Sequence, residues 1–204
     1  MYKIFSSLFL LVIPLFSFGQ ALHSGLKAGM GGAFFKNTDA KDEYTFAYSV
    51  GGFLNYTINK DKSVSIQTEL LFSRKGGVSK TIFTKMEPYP LPDEKLNYDL
   101  NYIEIPLMIK YSARGEFSRV YLMAGISPSF FLNGKARFDI FNGSEIKDVR
   151  SFDVGWVSTL GVEYNISRVR LLFLEARINN GLSNVFEHSP IRNFTYGLMS
   201  GIRF

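Results

Sequence analysis

The last twelve residues of this chain, 193–204, alternate between apolar side chains and polar or small ones. The even positions carry Phe194, Tyr196, Leu198, Ile202 and Phe204, with Ser200 as the exception. The odd positions carry Thr195, Gly197, Gly201 and Arg203, with Met199 as the exception. A period of two is typical of a β-strand with one apolar face and one polar face. The chain therefore ends on an amphipathic strand whose final side chain is aromatic.

The same alternation recurs along the rest of the chain. The predicted strands, including the last, span about 24–34, 46–58, 63–75, 100–111, 119–132, 151–165, 169–180 and 193–204. Each is as long as the roughly 9–11 residues that a tilted strand needs to cross a bilayer. Closed barrels and helices are the structures that can cross it, and no sustained helical period follows the N-terminal segment. The sequence predicts an all-β fold, an eight-stranded antiparallel up-and-down transmembrane β-barrel.

The connections between the predicted strands alternate in length. Residues 59–62, 112–118 and 166–168 form short turns, whereas 35–45, 76–99, 133–150 and 181–192 form longer loops. Short turns on one side and long loops on the other are typical of outer-membrane barrels, with both termini in the periplasm.

One long loop contains a further strand signal. Asn142-Gly143 stands between two extended runs, and this pair favours a tight hairpin turn. We expect the fifth and sixth strands to continue beyond the membrane into a protruding hairpin; the alternative is a soluble loop.

The N-terminus resembles a secretory signal peptide. Lys3 precedes an apolar run over residues 4–18, and small residues stand near its end at Ser17 and Gly19. The run is shorter than the roughly 20 residues of a spanning helix. We predict cleavage after Gly19, which gives a signal peptide of residues 1–19 and a barrel domain of residues 20–204; the alternative is an uncleaved anchor.

The polar faces of the strands carry charges that a barrel has to accommodate. They are Lys27, Glu69, Glu104, Lys110, Asp153, Glu163, Glu175, Arg177 and Arg203. Facing lipid, each would cost several kcal/mol, whereas inside the barrel acids and bases can pair. An eight-stranded barrel is about wide enough for side chains alone. We therefore predict a structural charge network that packs the lumen, with glycines on the same face leaving room for the long side chains.

The residues that could support catalysis or cofactor binding are few. The chain has no cysteine and two histidines, His23 and His188. The triplet Glu187-His188-Ser189 suggests a loop-based hydrolase, but neighbours in sequence seldom reach the geometry of a catalytic triad. We therefore predict that the protein is not an enzyme and has no cofactor or metal site. The basic residues are scattered, so we expect no nucleic-acid partner.

Several motifs resemble the PorT-like outer-membrane β-barrel family. They are Gly25-Leu26-Lys27-Ala28-Gly29, the Tyr102–Tyr111 strand with Glu104, Pro106 and Lys110, and Gly201-Ile202-Arg203-Phe204. The resemblance implies the outer membrane of a Gram-negative bacterium, contact with its lipid, and Phe204 as a signal to the barrel-insertion machinery. It leaves the role open between a structural or interaction barrel with extracellular binding loops and, as in one branch of the family, an accessory of protein secretion or envelope assembly.

Overall fold

The computed structural model of the chain describes residues 22–36, 43–81, 94–114, 118–138, 144–145, 148–167, 170–187 and 189–204. Its strands are β1 (Leu22–Lys36), β2 (Thr45–Thr57), β3 (Val64–Thr81), β4 (Glu94–Glu104), β5 (Leu107–Arg114), β6 (Ser118–Phe138), β7 (Ser144–Glu145), β8 (Phe152–Asn165), β9 (Leu171–Gly181) and β10 (Arg192–Arg203). Within these ranges, no helix has the length and apolar character of a membrane span. The predicted signal peptide lies outside the described residues.

The strands close into a barrel because the last one pairs with the first. β10 runs antiparallel to β1, from Gly25 opposite Arg203 to Lys36 opposite Arg192. Every other neighbouring pair is also antiparallel, in the order β1, β2, β3, β4 with β5, β6, β8, β9, β10. This arrangement confirms the predicted eight-stranded antiparallel barrel, in which β4 and β5 together form the fourth strand.

The fourth barrel strand is divided at Ile105-Pro106, whereas the sequence predicted one strand over 100–111. Proline has no backbone N–H to donate to a neighbouring strand. The carbonyl of Pro106 still accepts a hydrogen bond from Glu69 N at 3.0 Å, and Ile105 N donates to Pro128 O at 2.9 Å. Inward and outward side chains keep alternating across the break, since Glu104, Pro106 and Lys110 are buried and Ile105 is exposed. The fourth barrel strand thus changes its hydrogen bonding at Pro106, while its side chains keep the same alternation between lumen and outer surface.

The barrel wall extends further on the loop side than predicted. β3 continues to Thr81 and β4 begins at Glu94, and these ends pair with each other from Lys75–Leu100 to Thr81–Glu94. The predicted loop over 76–99 is therefore too long, because residues at both of its ends belong to β3 and β4. Residues 76–81 lack the strict alternation of the membrane strands because this part of the sheet lies beyond the apolar band.

The predicted hairpin that continues the fifth and sixth strands is confirmed only in part. β6 does extend to Phe138, but its outer part pairs with β4, with Leu96 opposite Phe138. The sixth barrel strand, β8, begins only at Phe152. A two-residue strand, β7, pairs with β6 at Lys135–Glu145 and Ala136–Ser144. The Asn142-Gly143 pair lies outside the described residues.

The outer surface of the barrel suits a bilayer. Between its two ends the outward side chains are large and apolar, for example Leu70, Leu122 and Leu174, each more than half exposed. Aromatic side chains border this band: Tyr56, Tyr111 and Tyr164 on the turn side, and Phe46, Phe130, Phe152 and Trp156 on the loop side. Aromatic girdles at both interfaces are typical of transmembrane barrels.

Candidate functional site in the barrel lumen

The centre of the lumen holds four charged side chains from three strands. Lys27 Nζ on β1 lies 2.8 Å from Glu69 Oε1 on β3 and 2.5 Å from Glu175 Oε1 on β9. Arg177 Nη1, also on β9, lies 2.6 Å from Glu69 Oε2. All four side chains are at most 9% exposed. Two bases and two acids therefore neutralise each other away from bulk water.

Neutral side chains complete the hydrogen bonding of these carboxylates. Gln67 Nε2 donates to Glu69 Oε1 at 2.7 Å, and Tyr121 OH donates to Glu175 Oε2 at 2.8 Å. Asn55 Nδ2 in turn donates to Gln67 Oε1 at 3.3 Å. A buried ion pair is tolerated when further hydrogen bonds satisfy its remaining polar atoms, and this cluster meets that condition at both acids.

A second ionic group lies towards the turn side of the barrel. Lys110 on β5 forms an ion pair with Glu163 on β8, and its Nζ lies 3.9 Å from the centroid of the Tyr121 ring. Arg203 Nη1 on β10 lies 3.6 Å from Glu163 Oε1, with 18% of the Arg203 side chain exposed. Arg203 is thus the most exposed of the predicted lumen charges, at the rim of the barrel.

The third ionic group lies towards the loop side and contains a base that sequence reasoning missed. Lys75 on β3 forms an ion pair with Glu104 on β4 and donates to Ser129 Oγ at 3.3 Å. Lys75 is the last residue of the predicted third strand, but it was not assigned to the lumen charges. Its odd position, in phase with the inward Glu69, was the signal that could have identified it.

Asp153 differs from the predicted pattern of paired charges. Ser183 Oγ donates to its Oδ1 at 2.5 Å, and Asn193 Nδ2 donates to its Oδ2 at 3.2 Å. The same asparagine lies 3.5 Å from Tyr102 OH. Among the described residues, hydrogen bonds rather than an ion pair hold this buried carboxylate.

Apolar side chains fill the lumen together with the charges. A cluster that surrounds the central ionic group contains Phe53, Met108, Tyr121, Met123, Val157, Leu171 and Phe173. A loop-side cluster contains Phe35, Leu100, Tyr102, Val149 and Val185. The interior is therefore not a plug of charges alone, because aromatic and aliphatic side chains pack around the charges and close the loop side.

Glycines on the inner face make room for rings as well as for charged groups. A Cβ atom added to Gly161 would lie 2.2 Å from Cζ of Tyr121. The Tyr121 ring therefore occupies the space that a larger residue on β8 would need. We expected such glycines to leave room for the long charged side chains, and Gly161 also leaves room for an aromatic ring.

Loop residues contribute to the loop-side closure. Val185 is 1% exposed, although it lies between β9 and β10. Arg150 N donates to Val185 O at 2.9 Å, and Val185 N donates to Ile191 O at 2.8 Å. Nothing in the local pattern of the sequence indicated this inward turn, since it depends on the distant partners Phe35 and Leu100.

The remaining candidate residues lie apart from this interior. Phe204 is 51% exposed, and its backbone N–H donates to Ser24 O at 2.8 Å. His23 lies at the start of β1. His188, the central residue of the Glu187-His188-Ser189 triplet, lies outside the described residues. The described residues contain no group of three or more side chains suited to a metal ion.

Comparison with known proteins agrees with this architecture. The model of the outer membrane protein beta-barrel domain matches residues 17–187. The fold is similar to that of Neisserial surface protein A, with a TM-score of 0.54 at 16% identity, covering 89% of this chain and 95% of the other. It is also similar to the outer membrane protease OmpT from Escherichia coli, with a TM-score of 0.52 at 12% identity, covering 90% and 96%. No curated protein matches the sequence.

The second of these similarities corrects one prediction. We expected this protein not to be an enzyme, but a protein of similar fold is a protease. The barrel architecture therefore gives no ground for denying enzymatic activity to this chain. The comparisons support the general outer-membrane barrel family and leave the PorT-like branch without confirmation.

Proposed function

Because this chain belongs to the outer membrane protein beta-barrel domain family, we propose that it is a structural or interaction protein whose long loops bind a partner at the cell surface. In this proposal the barrel is a rigid support that carries the loops and does not conduct solutes. The signal peptide over 1–19, the periplasmic location of both termini and the resemblance to the PorT-like branch are parts of the same proposal.

The filling of the lumen is the observation that carries the proposal. The Lys27–Glu69–Glu175–Arg177 cluster blocks the centre with side chains that are nearly inaccessible to solvent. One apolar cluster packs around it and the other closes the loop side. Moving a solute through would require breaking ion pairs in an environment where an unpaired charge is costly. Surfaces outside the lumen are therefore the places where this barrel can act.

The loop side offers a shaped surface for such a role. Isolated bridges pair Val149 with Phe186 and Phe186 with Ser189. The Phe186 ring packs against Phe35 and Tyr98, at 5.9 and 5.3 Å between ring centroids. This packing fixes the position of neighbouring exposed residues. A surface held in place in this way loses little conformational entropy on binding.

Site-specific crosslinking in living cells would test the proposal. A photoreactive residue at the exposed positions Arg150 or Arg192 samples the loop side, and one at Lys60 or Arg170 samples the turn side as a matched control. We expect specific crosslinks from the loop side. Crosslinks from the turn side alone would contradict the proposal and favour the alternative role as a periplasm-facing accessory of secretion or envelope assembly.

A further inference from the structure

We propose that the lumen contains a binding site for ordered water between the central ionic cluster and the Lys75–Glu104 pair. The site is a cavity of about 40 Å³, lined by Ala47, Ser49, Lys75, Glu104, Arg177 and Asn179 among other residues. Its water molecules join two ionic groups that make no direct contact in the described network. In this proposal the water molecules are a fixed part of the folded protein.

Arg177 provides the unsatisfied donor. Its Nη1 contacts Glu69 Oε2 at 2.6 Å, but its Nη2, buried from solvent, has no hydrogen-bond partner among the described residues. A buried donor left unsatisfied costs about 1–3 kcal/mol, and more for a charged group. Since Arg177 lines the cavity, the cavity is the space from which a partner can reach it.

Glu104 provides the matching acceptor. Its Oε1 forms the ion pair with Lys75, and a carboxylate oxygen has a second lone pair with which it can accept from water. Its Oε2 accepts only a long contact of 3.5 Å from Ser127 Oγ. The cavity therefore has a cationic donor, Arg177, and an anionic acceptor, Glu104, on its lining. The two other bases on the lining, Arg74 and Lys75, are paired with Asp99 and Glu104.

Water fits this combination better than an ion does. A water molecule can accept from Arg177 and donate to Glu104, whereas an anion would meet the Glu104 carboxylate and a cation would meet the Arg177 guanidinium. A water molecule needs a cavity volume of roughly 10–15 Å³ and two to four polar partners. The cavity offers both, with the hydroxyl of Ser49 and the amide of Asn179 as additional groups on its lining.

Nuclear magnetic resonance of the protein in lipid nanodiscs can test the site directly. We expect cross-peaks between water and the backbone amides of Gly31 and Gly197, which line the cavity. The signs of these cross-peaks, compared between nuclear and rotating-frame Overhauser spectra, should show that the water tumbles with the protein. The amide of Gly52, where the wall faces lipid, should show none.

A pair of matched variants locates the water. Ala47→Val places two methyl groups at the cavity, whereas Ala28→Val makes the same change on the lipid-facing side of β1. We expect the first to abolish the water cross-peaks at Gly31 and Gly197 and the second to retain them. Absence of cross-peaks in the unmodified protein, or their survival in Ala47→Val, overturns the proposal. A saturable response of these amides to chloride, without water cross-peaks, would assign the cavity to an anion and also overturns it.

Discussion

The ammonium group of Lys27 lies 2.8 Å from Glu69 Oε1, although the two residues are 42 positions apart and belong to β1 and β3, which are not neighbours in the sheet. The contact crosses the inside of the barrel above β2. It exists only when β1, β2 and β3 are all in register. The ion pairs of the lumen therefore depend on correct pairing of the strands in the wall, and they also stabilise that wall.

Removing Glu69 should destabilise the barrel strongly. Glu69→Ala leaves both Lys27 and Arg177 without their shared carboxylate in a buried site. Breaking a buried ion pair by removing one partner costs about 3–5 kcal/mol. Denaturant unfolding in lipid vesicles would measure the loss, with Glu187→Ala, an exposed acid on the loop side, as the control. Equal unfolding midpoints for the two variants would refute the packed ionic core.

Closure of the barrel should depend on Gly31. A Cβ atom added there would lie 1.9 Å from the carbonyl oxygen of Tyr196 on β10, which is a backbone clash that no side-chain movement relieves. We expect Gly31→Ala to lower the yield of folded, heat-modifiable barrel severalfold. Gly52→Ala is the matched control, because its added Cβ would meet Gly25 O only at 3.4 Å. If both variants fold alike, the close approach of β1 and β10 is not a requirement.

The closing residue, Phe204, should act in assembly more than in stability. Phe204→Ala should reduce the amount of protein in the outer membrane while export to the periplasm continues. Its ring is 51% exposed and so contributes little to the core. Tyr164→Ala changes an exposed aromatic at the same rim and serves as the control. Insertion of Phe204→Ala at the normal level would show that the residue is not recognised during assembly.

The orientation of the barrel can be read with single cysteines, because the natural chain has none. A membrane-impermeant maleimide should label Asp148→Cys in intact cells and Lys60→Cys only after the outer membrane is permeabilised. Both positions are exposed, on the loop side and the turn side respectively. Labelling of Lys60→Cys in intact cells would place the short turns outside and reverse the proposed topology.

The alternation of side chains allowed the membrane part of the fold to be predicted, because one face of each strand meets lipid and the other meets the lumen. Glu69, Glu104, Glu163 and Glu175 follow from this rule and are all buried. The alternation of inward and outward side chains continues across Pro106, although Pro106 has no backbone N–H to donate to a neighbouring strand. Strand partners followed from the short turns.

The loop side could not be predicted in the same way. There the sheet faces water on one side and loop residues on the other, so a period of two no longer marks an inner face. The pairing of β6 with β4 beyond the membrane, and the burial of Val185 against Leu100, depend on contacts between residues far apart in sequence. The rings of Phe53 and Phe173, which lie beside Lys27, also depart from the expected polar lining, because side chains of any polarity can fill a lumen of this width.

Single-channel recording in planar bilayers tests the central claim, that side chains close the lumen, most directly. The natural protein should show no stable conductance steps above the bare bilayer. A general porin reconstituted in the same bilayers serves as the positive control. Absence of steps in the natural protein, with steps from that porin, is the result we predict. Large, steady conductance from the natural protein would contradict the closed lumen and favour a barrel that passes solutes.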